Sequence, residues 1–230
     1  MTCNFTNTCT IFNKDLTLFD DLTDEERSLI ETNKVTVTYK KGEMICKQGS
    51  FATNIVHIKE GLAKVYLEGA TNNLILKIAP KNSLIGMPSI YEGNNTAVYS
   101  VATYSESVVD LIDMKVFQNL LQNNAKFAFR ALNIMNENII QIYGRFFCLS
   151  NKQLHGRIAD ILLCLKDRVY KNSTFEFAFS RSELAELTNM STESVIRVMK
   201  NFKDDGLILQ KDKTMEILDV EMLSKISNLG

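Results

Sequence analysis

The segment from residue 180 to residue 203 constrains the fold most, because it predicts two short helices joined by a tight turn. Ser180 and Glu183 have the spacing of a capping box, in which each side chain bonds the other residue's backbone N–H. In the turn, Asn189 is the residue that best tolerates a left-handed backbone. Ser191 can cap the second helix. The segment therefore predicts a helix-turn-helix.

The second of these helices has an apolar face and a polar face. The residues predicted to be buried are Val195, Val198, Met199 and Phe202. The residues predicted to face outward are Thr192, Glu193, Ser194, Arg197, Lys200 and Lys203. Such a helix fits the major groove of DNA, where arginine pairs with guanine and a carboxylate accepts from cytosine.

Two capped amphipathic helices also occur by chance, so the flanking sequence matters. Residues 206–210 (GLILQ) and 214–218 (TMEIL) have the pattern of a two-stranded hairpin, and the strand-like run 175–179 precedes the first helix. A winged helix-turn-helix is the better prediction.

Residues 34–112 have a different pattern of residue types from the rest of the chain. Short β-branched or alternating runs, at 35–39, 54–58, 63–67, 74–78, 97–103 and 107–112, are separated by turn residues. Six of the ten glycines lie between residues 42 and 93. This pattern predicts an all-β barrel or roll with tight corners. A short helical lead-in at 15–33, with a capping box from Thr23 to Glu26, precedes it.

After a short helix capped by Asp113, a long helix is predicted from about residue 124 to residue 150. Its apolar residues alternate spacings of four and three, as in a coiled-coil seam: Ala128, Leu132, Met135, Ile139, Ile142, Phe146 and Leu149. A helix packed on its own domain can show the same pattern. One strict seam between two globular parts favours a symmetry mate as its partner, and hence a homodimer.

The chain of 230 residues is therefore predicted to be an α+β protein in three parts. These are an N-terminal sensor β-roll domain at 1–123, a dimerisation helix and hinge at 124–151, and a winged helix-turn-helix domain at 152–230.

The bulk composition limits how this chain attracts DNA. The net charge is −1. Between residues 181 and 213, six cations (Arg181, Arg197, Lys200, Lys203, Lys211, Lys213) meet six acids (Glu183, Glu186, Glu193, Asp204, Asp205, Asp212). Attraction to phosphate must therefore come from placement on one face, with a modest salt dependence.

The remaining sequence signals concern compartment and catalysis. The N-terminus lacks the basic start and apolar block of a secretory signal, and no apolar run approaches the roughly 20 residues that span a bilayer. Five cysteines, scattered from Cys3 to Cys164, do not suggest a disulfide framework, and a cytoplasmic location fits best. No phosphate-binding glycine loop, metal-ligand spacing or nucleophile–base motif is present, so an enzyme is not expected.

The order of roll, long helix and winged helix-turn-helix resembles the Crp/Fnr family of bacterial transcription regulators over about residues 15–222. The motifs that carry the resemblance are 41–49 (KGEMICKQG), 58–61 (IKEG), 84–86 (LIG), 156–163 (GRIADILL), 182–185 (SELA) and 191–197 (STESVIR). The resemblance implies a homodimer that binds a two-fold operator in double-stranded DNA, with RNA polymerase as a further partner.

The resemblance also implies roles for residues of the helix pair. By matching position, Glu193 and Arg197 are the base-reading residues, and Thr192 stands where cyclic-AMP-responsive members place a third one. Contacts to phosphate are implied for Ser180, Arg181, Ser191 and Ser194, which position the protein without specifying a sequence. Lys200 completes the predicted DNA-binding set.

In cyclic-nucleotide-binding members, a Gly-Glu-x-x-Leu segment followed by Arg-Ser/Thr-Ala holds the ligand. The corresponding segments here are 86–90 (GMPSI) and 95–97 (NTA), so Met87 replaces the acid and Asn95 replaces the arginine. A buried phosphate without a cation is costly, which argues against cyclic AMP as the effector. The candidate effector pocket comprises Gly86, Met87, Ser89, Asn95 and Thr96.

Several effectors stay open at the level of sequence. An iron–sulfur cluster needs four cysteines, and only Cys3 and Cys9 resemble part of the set in oxygen-sensing members. Haem needs an axial ligand, for which His57 or His155 could serve, with a Met or Cys opposite, and Met87 is an available thioether. The sequence also leaves open a thiol switch at Cys3 and Cys9, an effector-independent DNA binder and a ligand-binding module without DNA contact.

Overall fold

The computed structural model describes residues 18–70 and 72–230, so Cys3 and Cys9 lie outside the described residues. Packing of the backbone divides the described chain into two units. One consists of residues 18–68 and 78–139, and the other of residues 140–230 together with the segment from Gly69 to Lys77. The long helix contributes to both units, so the predicted division of the chain into three parts stays a prediction.

The N-terminal part is a β-roll of two four-stranded antiparallel sheets, which confirms the predicted α+β class. Its strands are β1 (Lys34–Tyr39), β2 (Met44–Cys46), β3 (Asn54–Glu60), β4 (Leu62–Leu67), β5 (Leu74–Pro80), β6 (Leu84–Ile85), β7 (Ser100–Thr103) and β8 (Ser107–Asp113). One sheet has the order β1-β8-β3-β6 and the other β2-β7-β4-β5. The register of β1 on β8 runs from Lys34 opposite Ile112 to Tyr39 opposite Ser107.

Glycine is required at two corners of the roll. Gly61 has a φ of +94°, and a Cβ there would lie 2.7 Å from the Cα of Ser107. Gly86 has a φ of +116° and precedes a 3₁₀ helix at Met87–Ser89. Only glycine adopts such backbone angles at low cost, so the predicted corners at both positions are confirmed.

Two helices close the roll, α1 (Asp24–Thr32) and α2 (Met114–Asn123), followed by the long helix α3 (Ala125–Asn151). The capping box of Thr23 and Glu26 is present at α1, and the Asp113 carboxylate caps α2 by accepting from the N–H groups of Lys115 and Val116. The core that they share with the sheets includes Phe117 and Phe127, whose rings meet edge to face at 5.3 Å.

The C-terminal part has two helices beside a helix-turn-helix, and one small sheet. Its elements are α4 (Leu154–Cys164), β9 (Thr174–Glu176), α5 (Arg181–Thr188), α6 (Thr192–Asp204), β10 (Ile208–Lys211), β11 (Thr214–Ile217) and α7 (Val220–Leu229). The sheet order is β10-β11-β9, and Asp212 turns between β10 and β11 with a φ of +49°. The predicted hairpin and winged helix-turn-helix are confirmed.

Several boundaries differ from the sequence prediction. Helix α1 begins at Asp24 and not at residue 15, because Thr23 is its N-terminal cap. Strands β2 and β6 have three and two residues, too few for an alternating pattern to stand out. Strand β9 lies at 174–176 rather than 175–179, and α7 was not predicted.

No helix in the described part of the chain is long and apolar enough to cross a membrane.

Candidate nucleic-acid interface and roll cavity

The helix-turn-helix is built by three local devices. The Ser180 hydroxyl accepts from the Glu183 N–H at 3.1 Å, and the Ser180 N–H donates to Glu183 Oε2 at 2.7 Å. Asn189 ends α5 in the left-handed conformation, with φ +50° and ψ +53°. The Ser191 hydroxyl caps α6 by accepting from the Ser194 N–H at 3.2 Å. These three features confirm the sequence prediction, and they fix the angle at which α6 leaves the turn.

The left-handed residue gives a direct test of the turn. We expect Asn189→Val to lower the free energy of unfolding by about 1–2 kcal/mol, because a β-branched side chain is strained at positive φ. Asn189→Gly is the matched control and is expected to change it by less than about 0.5 kcal/mol, because glycine accepts this conformation. Urea unfolding followed by circular dichroism measures both. Equal losses in the two variants would contradict a conformational role.

Helix α6 divides into the two predicted faces. Val195, Val198, Met199 and Phe202 are all buried. On the opposite face, Glu193, Arg197, Lys200 and Lys203 are exposed, whereas Thr192 and Ser194 are half-buried at the first turn. Glu193, Arg197 and Lys200 are spaced by four and three residues, so they form one stripe along the helix.

Ile196 belongs to this outer surface, although the sequence pattern did not single it out. Its side chain is 51% exposed on a helix whose other large apolar residues are buried. It stands three residues after Glu193 and next to Arg197 in sequence, beside the same stripe. Apolar side chains in the major groove contact the methyl group of thymine. The sequence signal that could have identified Ile196 is an apolar residue at a position that the helical period places on the outer side of α6.

Arg181, for which the resemblance implies a phosphate contact, also makes a hydrogen bond within the protein. It is half-buried, and its guanidinium donates to Gln210 Oε1 on β10 at 2.6 Å. The bond joins the start of α5 to the wing, so Arg181 positions the wing in addition to any contact with phosphate. Ser180 and Ser191 are exposed at the starts of their helices, where phosphates bind well.

The charges on and just after α6 are balanced. Three exposed cations (Arg197, Lys200, Lys203) face three exposed acids (Glu193, Asp204, Asp205). The two aspartates lie at the end of the helix, whereas Arg197 lies near its middle. A nucleic acid would therefore be attracted by the placement of the cations along the helix and not by an excess of them.

The seven predicted seam residues of α3 share one property, which is that none is buried within the chain. Leu132, Ile139 and Phe146 are 50%, 40% and 73% exposed, and Ala128, Met135, Ile142 and Leu149 are half-buried. Further exposed apolar residues flank the seam: Phe129, Ile140, Tyr143 and Phe147. The residues of α3 that do pack inside the chain lie elsewhere on the helix, at Phe127, Ala131, Ile134 and Cys148.

The roll encloses a cavity of about 360 Å³. Its wall is mainly apolar and includes Ile45, Val56, Ile85, Val101 and Leu111. Its polar lining includes the hydroxyl-bearing residues Ser50, Thr53, Ser89 and Tyr99. Among the described residues that line it, Lys47 is the only charged one, and that residue is exposed.

Two of the five predicted pocket residues line this cavity, Gly86 and Ser89. Met87 packs into the hydrophobic core instead, Asn95 is exposed, and Thr96 is half-buried outside the lining. Residues between 44 and 56, which the sequence did not assign to a pocket, form much of the wall. The predicted effector pocket stays a prediction, and the cavity lining adds Tyr99 and these residues to Gly86 and Ser89.

The lining does not fit a cyclic phosphate. Neither a buried arginine nor a buried lysine lies among the described lining residues. The N–H of Gly86, at the corner where the sequence placed the ligand, already donates to the Tyr99 hydroxyl at 2.8 Å. An anion held there would lose its hydration without gaining a charge-assisted bond.

His57, one of the two candidate haem ligands, belongs to a charged cluster around Asp110. The Asp110 carboxylate accepts from Thr36 at 2.6 Å, lies 3.3 Å from Lys34 Nζ and 3.9 Å from His57 Nδ1. Burial alone would raise the pKa of Asp110, but the hydrogen bonds from Thr36 and Lys34 hold it below its usual value. Burial lowers the pKa of His57, so the imidazole is neutral at pH 7.

The other candidate haem ligand, His155, has a structural role in the helix-turn-helix domain. Its Nε2 lies 3.3 Å from Asn201 Nδ2, and its ring meets Phe202 edge to face at 5.8 Å. Neither histidine lines the roll cavity, and Met87 lies in the hydrophobic core. The described residues also contain no group of three or more His, Cys, Asp or Glu side chains that could hold a metal ion.

The described cysteines do not supply a cluster set. Cys46 and Cys148 are free thiols, and burial raises the pKa of both.

Comparison with known proteins identifies both parts of the chain. Residues 36–124 match the cyclic nucleotide-binding domain, and residues 156–226 match the Crp-like helix-turn-helix domain. The transcriptional activator protein anr of Pseudomonas aeruginosa is 25% identical over 199 residues, which cover 84% of this chain and 80% of that protein. The cAMP-activated global transcriptional regulator CRP of Salmonella typhimurium is 24% identical over 183 residues, covering 78% and 87%.

A solved structure has the same fold. The structure of FixK2 from Bradyrhizobium japonicum superposes with a TM-score of 0.76 at 14% identity, covering 84% of this chain and 96% of that one.

Proposed function

Because this chain belongs to the Crp/Fnr family of transcription regulators, we propose that it binds a two-fold DNA operator as a homodimer. The observation that carries the proposal is the stripe of Glu193, Arg197 and Lys200, exposed along a helix whose other face is buried. Such a helix enters the major groove with its N-terminal residues toward the base edges. Glu193 and Arg197 then read bases, Arg197 by a bidentate bond to guanine.

The residues at the helix starts have the second role in this interface. Ser180, Ser191 and Ser194 bind phosphates through hydroxyl and backbone N–H donors, which sets the register of the protein on the duplex. Arg181 holds the wing through Gln210 while its charge faces the backbone. Lys200 adds a phosphate contact, and Thr192 lies at the edge of the base-reading surface.

The unburied seam of α3 supports the homodimer. None of the seven apolar positions with heptad-like spacing is fully buried by the chain itself, and a second copy of the same helix covers them symmetrically. Two α6 helices are then presented to one duplex, and RNA polymerase is the further partner of the bound dimer. The proposal includes a cytoplasmic location and no enzymatic activity.

Selection of operators from random duplex DNA tests the proposed function. We expect the recovered sites to be two-fold symmetric, with half-site centres about 10–10.5 base pairs apart, because two recognition helices meet successive major grooves on one side of the duplex. Full-length protein should be used, with the Arg197→Ala variant as the control for base reading. Recovery of sequences without symmetry, or of none above background, would overturn the proposal.

We also propose that the effector of the roll is not cyclic AMP. We expect saturating cyclic AMP to leave the operator Kd unchanged within about twofold, since the cavity holds no buried cation for the phosphate. Fluorescence anisotropy of a labelled operator measures this, with the CRP of Salmonella typhimurium as the responsive control. A cyclic-AMP-dependent gain in affinity would show the cavity assignment to be wrong. An effector-independent regulator would show no response to cell extract either.

A further inference from the structure

The roll cavity contains hydroxyl groups whose hydrogens have no acceptor in the described protein. The Tyr99 hydroxyl accepts from the Gly86 N–H at 2.8 Å, and the Ser89 hydroxyl accepts from the Val98 N–H at 3.4 Å. Neither hydroxyl donates a hydrogen bond to another described residue. Both residues are buried, at 8% and 5% exposure, and both line the cavity. A buried donor without an acceptor is unfavourable, so a ligand that brings one is stabilised.

The rest of the wall is mainly apolar, and its other polar residues are uncharged apart from Lys47. Burial raises the pKa of the Tyr99 hydroxyl, so that group is a neutral donor. Burial likewise raises the pKa of the Cys46 thiol in the same lining, so no thiolate adds a negative charge. Lys47 is exposed and therefore solvated. An anion in the interior would have no charged partner, whereas an uncharged molecule needs none.

Two large apolar side chains stand at the opening of the cavity, beside the exposed polar residues Lys47, Ser50, Thr53 and Asn54. Phe51 and Met44, which are both in the lining, are 76% and 46% exposed. The volume of about 360 Å³ is near the lower end of the usual range for small-molecule sites, which is about 300–1,000 Å³. A single-ring or short-chain compound fits that size, and contact with the apolar side chains of the lining favours its transfer from water.

We propose that the roll cavity binds a small, uncharged, mainly apolar molecule with one hydrogen-bond-accepting oxygen, which accepts from Tyr99 and Ser89. The inference rests on the proposed function in one respect, namely that this ligand is the effector of the regulator. The binding itself is a property of the cavity and is measured without DNA.

Isothermal titration of the full-length protein with four probes tests the ligand class. Acetophenone carries the ketone oxygen, ethylbenzene has nearly the same shape without it, benzoate is an anion of similar size, and cyclic AMP is the family ligand. We expect acetophenone to bind more tightly than the other three. Tighter binding of benzoate or cyclic AMP, or no detectable binding of acetophenone, overturns the proposal.

Two variants locate the contact on the oxygen. In Tyr99→Phe, we expect the ratio of acetophenone to ethylbenzene affinity to fall by about 3- to 10-fold, because a hydrogen bond to the ketone is lost. Ser89→Ala is expected to lower the same ratio. Because it leaves the bond from the Gly86 N–H to the Tyr99 hydroxyl intact, it provides the test if Tyr99→Phe fails to fold. Tyr91→Phe is the matched control, since Tyr91 is exposed and outside the lining. An unchanged ratio in both Tyr99→Phe and Ser89→Ala overturns the assignment.

The ligand assignment and the proposed function can be contradicted independently of each other. If acetophenone binds as expected but symmetric operators are not bound by any preparation, the proposed function is wrong and the cavity assignment stands. If symmetric operators are bound but acetophenone is not, only the ligand assignment is wrong.

Discussion

The variants Ile139→Asp and Leu132→Asp are expected to abolish the proposed homodimer and leave a monomer. In a two-fold dimer each substitution occurs twice, so two apolar side chains lose their burial and two carboxylates are placed in an apolar interface. Loss of burial is at most about 1.5–3 kcal/mol for each side chain, and the desolvation of two carboxylates adds to it. We therefore expect the dimer Kd to rise by more than about 100-fold.

The same substitutions should leave the monomer folded, so that loss of the dimer can be distinguished from unfolding. Ile139 and Leu132 are 40% and 50% exposed in the single chain, so an aspartate there remains in water when the dimer is lost. Sedimentation velocity at micromolar protein measures the oligomeric state, and circular dichroism measures the fold. Asn119→Asp places the same charge on an exposed position of α2 and serves as the control. Variants that remain dimeric would show that the seam packs on something other than a second copy.

Arg197→Ala is expected to give the largest loss in specific DNA binding among single substitutions on α6. A bidentate contact between arginine and guanine contributes about 1–3 kcal/mol of discrimination, and one is lost in each half-site. The preference for guanine should be relaxed at one position of the half-site while the other positions keep theirs. Competitive gel shifts against a library of single-base half-site variants measure both effects.

Lys203→Ala is the matched control for Arg197→Ala. Lys203 is exposed on the same helix but lies at its C-terminal end, away from the residues that reach base edges. We expect Lys203→Ala to lower the DNA affinity slightly and by the same factor for every DNA sequence. The salt dependence of that affinity should fall by the equivalent of about one phosphate contact at most. If Arg197→Ala weakens all sequences equally, as expected for Lys203→Ala, Arg197 does not read a base.

Local sequence signals were sufficient for the helix-turn-helix. Ser180 with Glu183, Asn189 and Ser191 act on backbone groups within four residues of themselves, so their spacing in the sequence already fixes their geometry. The long helix α3 was equally predictable, because its apolar period is regular over many turns. The corners of the roll followed from Gly61 and Gly86, where other residues would be strained.

The cavity could not be predicted in the same way. Its wall combines residues 44–56 with residues from 85 to 114, and only the pairing of distant strands brings them together. Met87 occupies the position of a family ligand residue, yet Met87 is part of the core. The bond from Gly86 to Tyr99 joins residues 13 positions apart in sequence and has no local signature. Ile196 was missed for another reason, since its exposure depends on which side of α6 packs inward.

The balance of exposed charges along α6 also affects how the protein is distributed in a cell. Chromosomal DNA retains regulators through attraction between cations and phosphates, whatever the base sequence. Three acids beside three cations weaken that retention, so fewer molecules are held at the many positions that lack a matching promoter. A larger share of the protein then diffuses freely, and a small number of copies can occupy its targets.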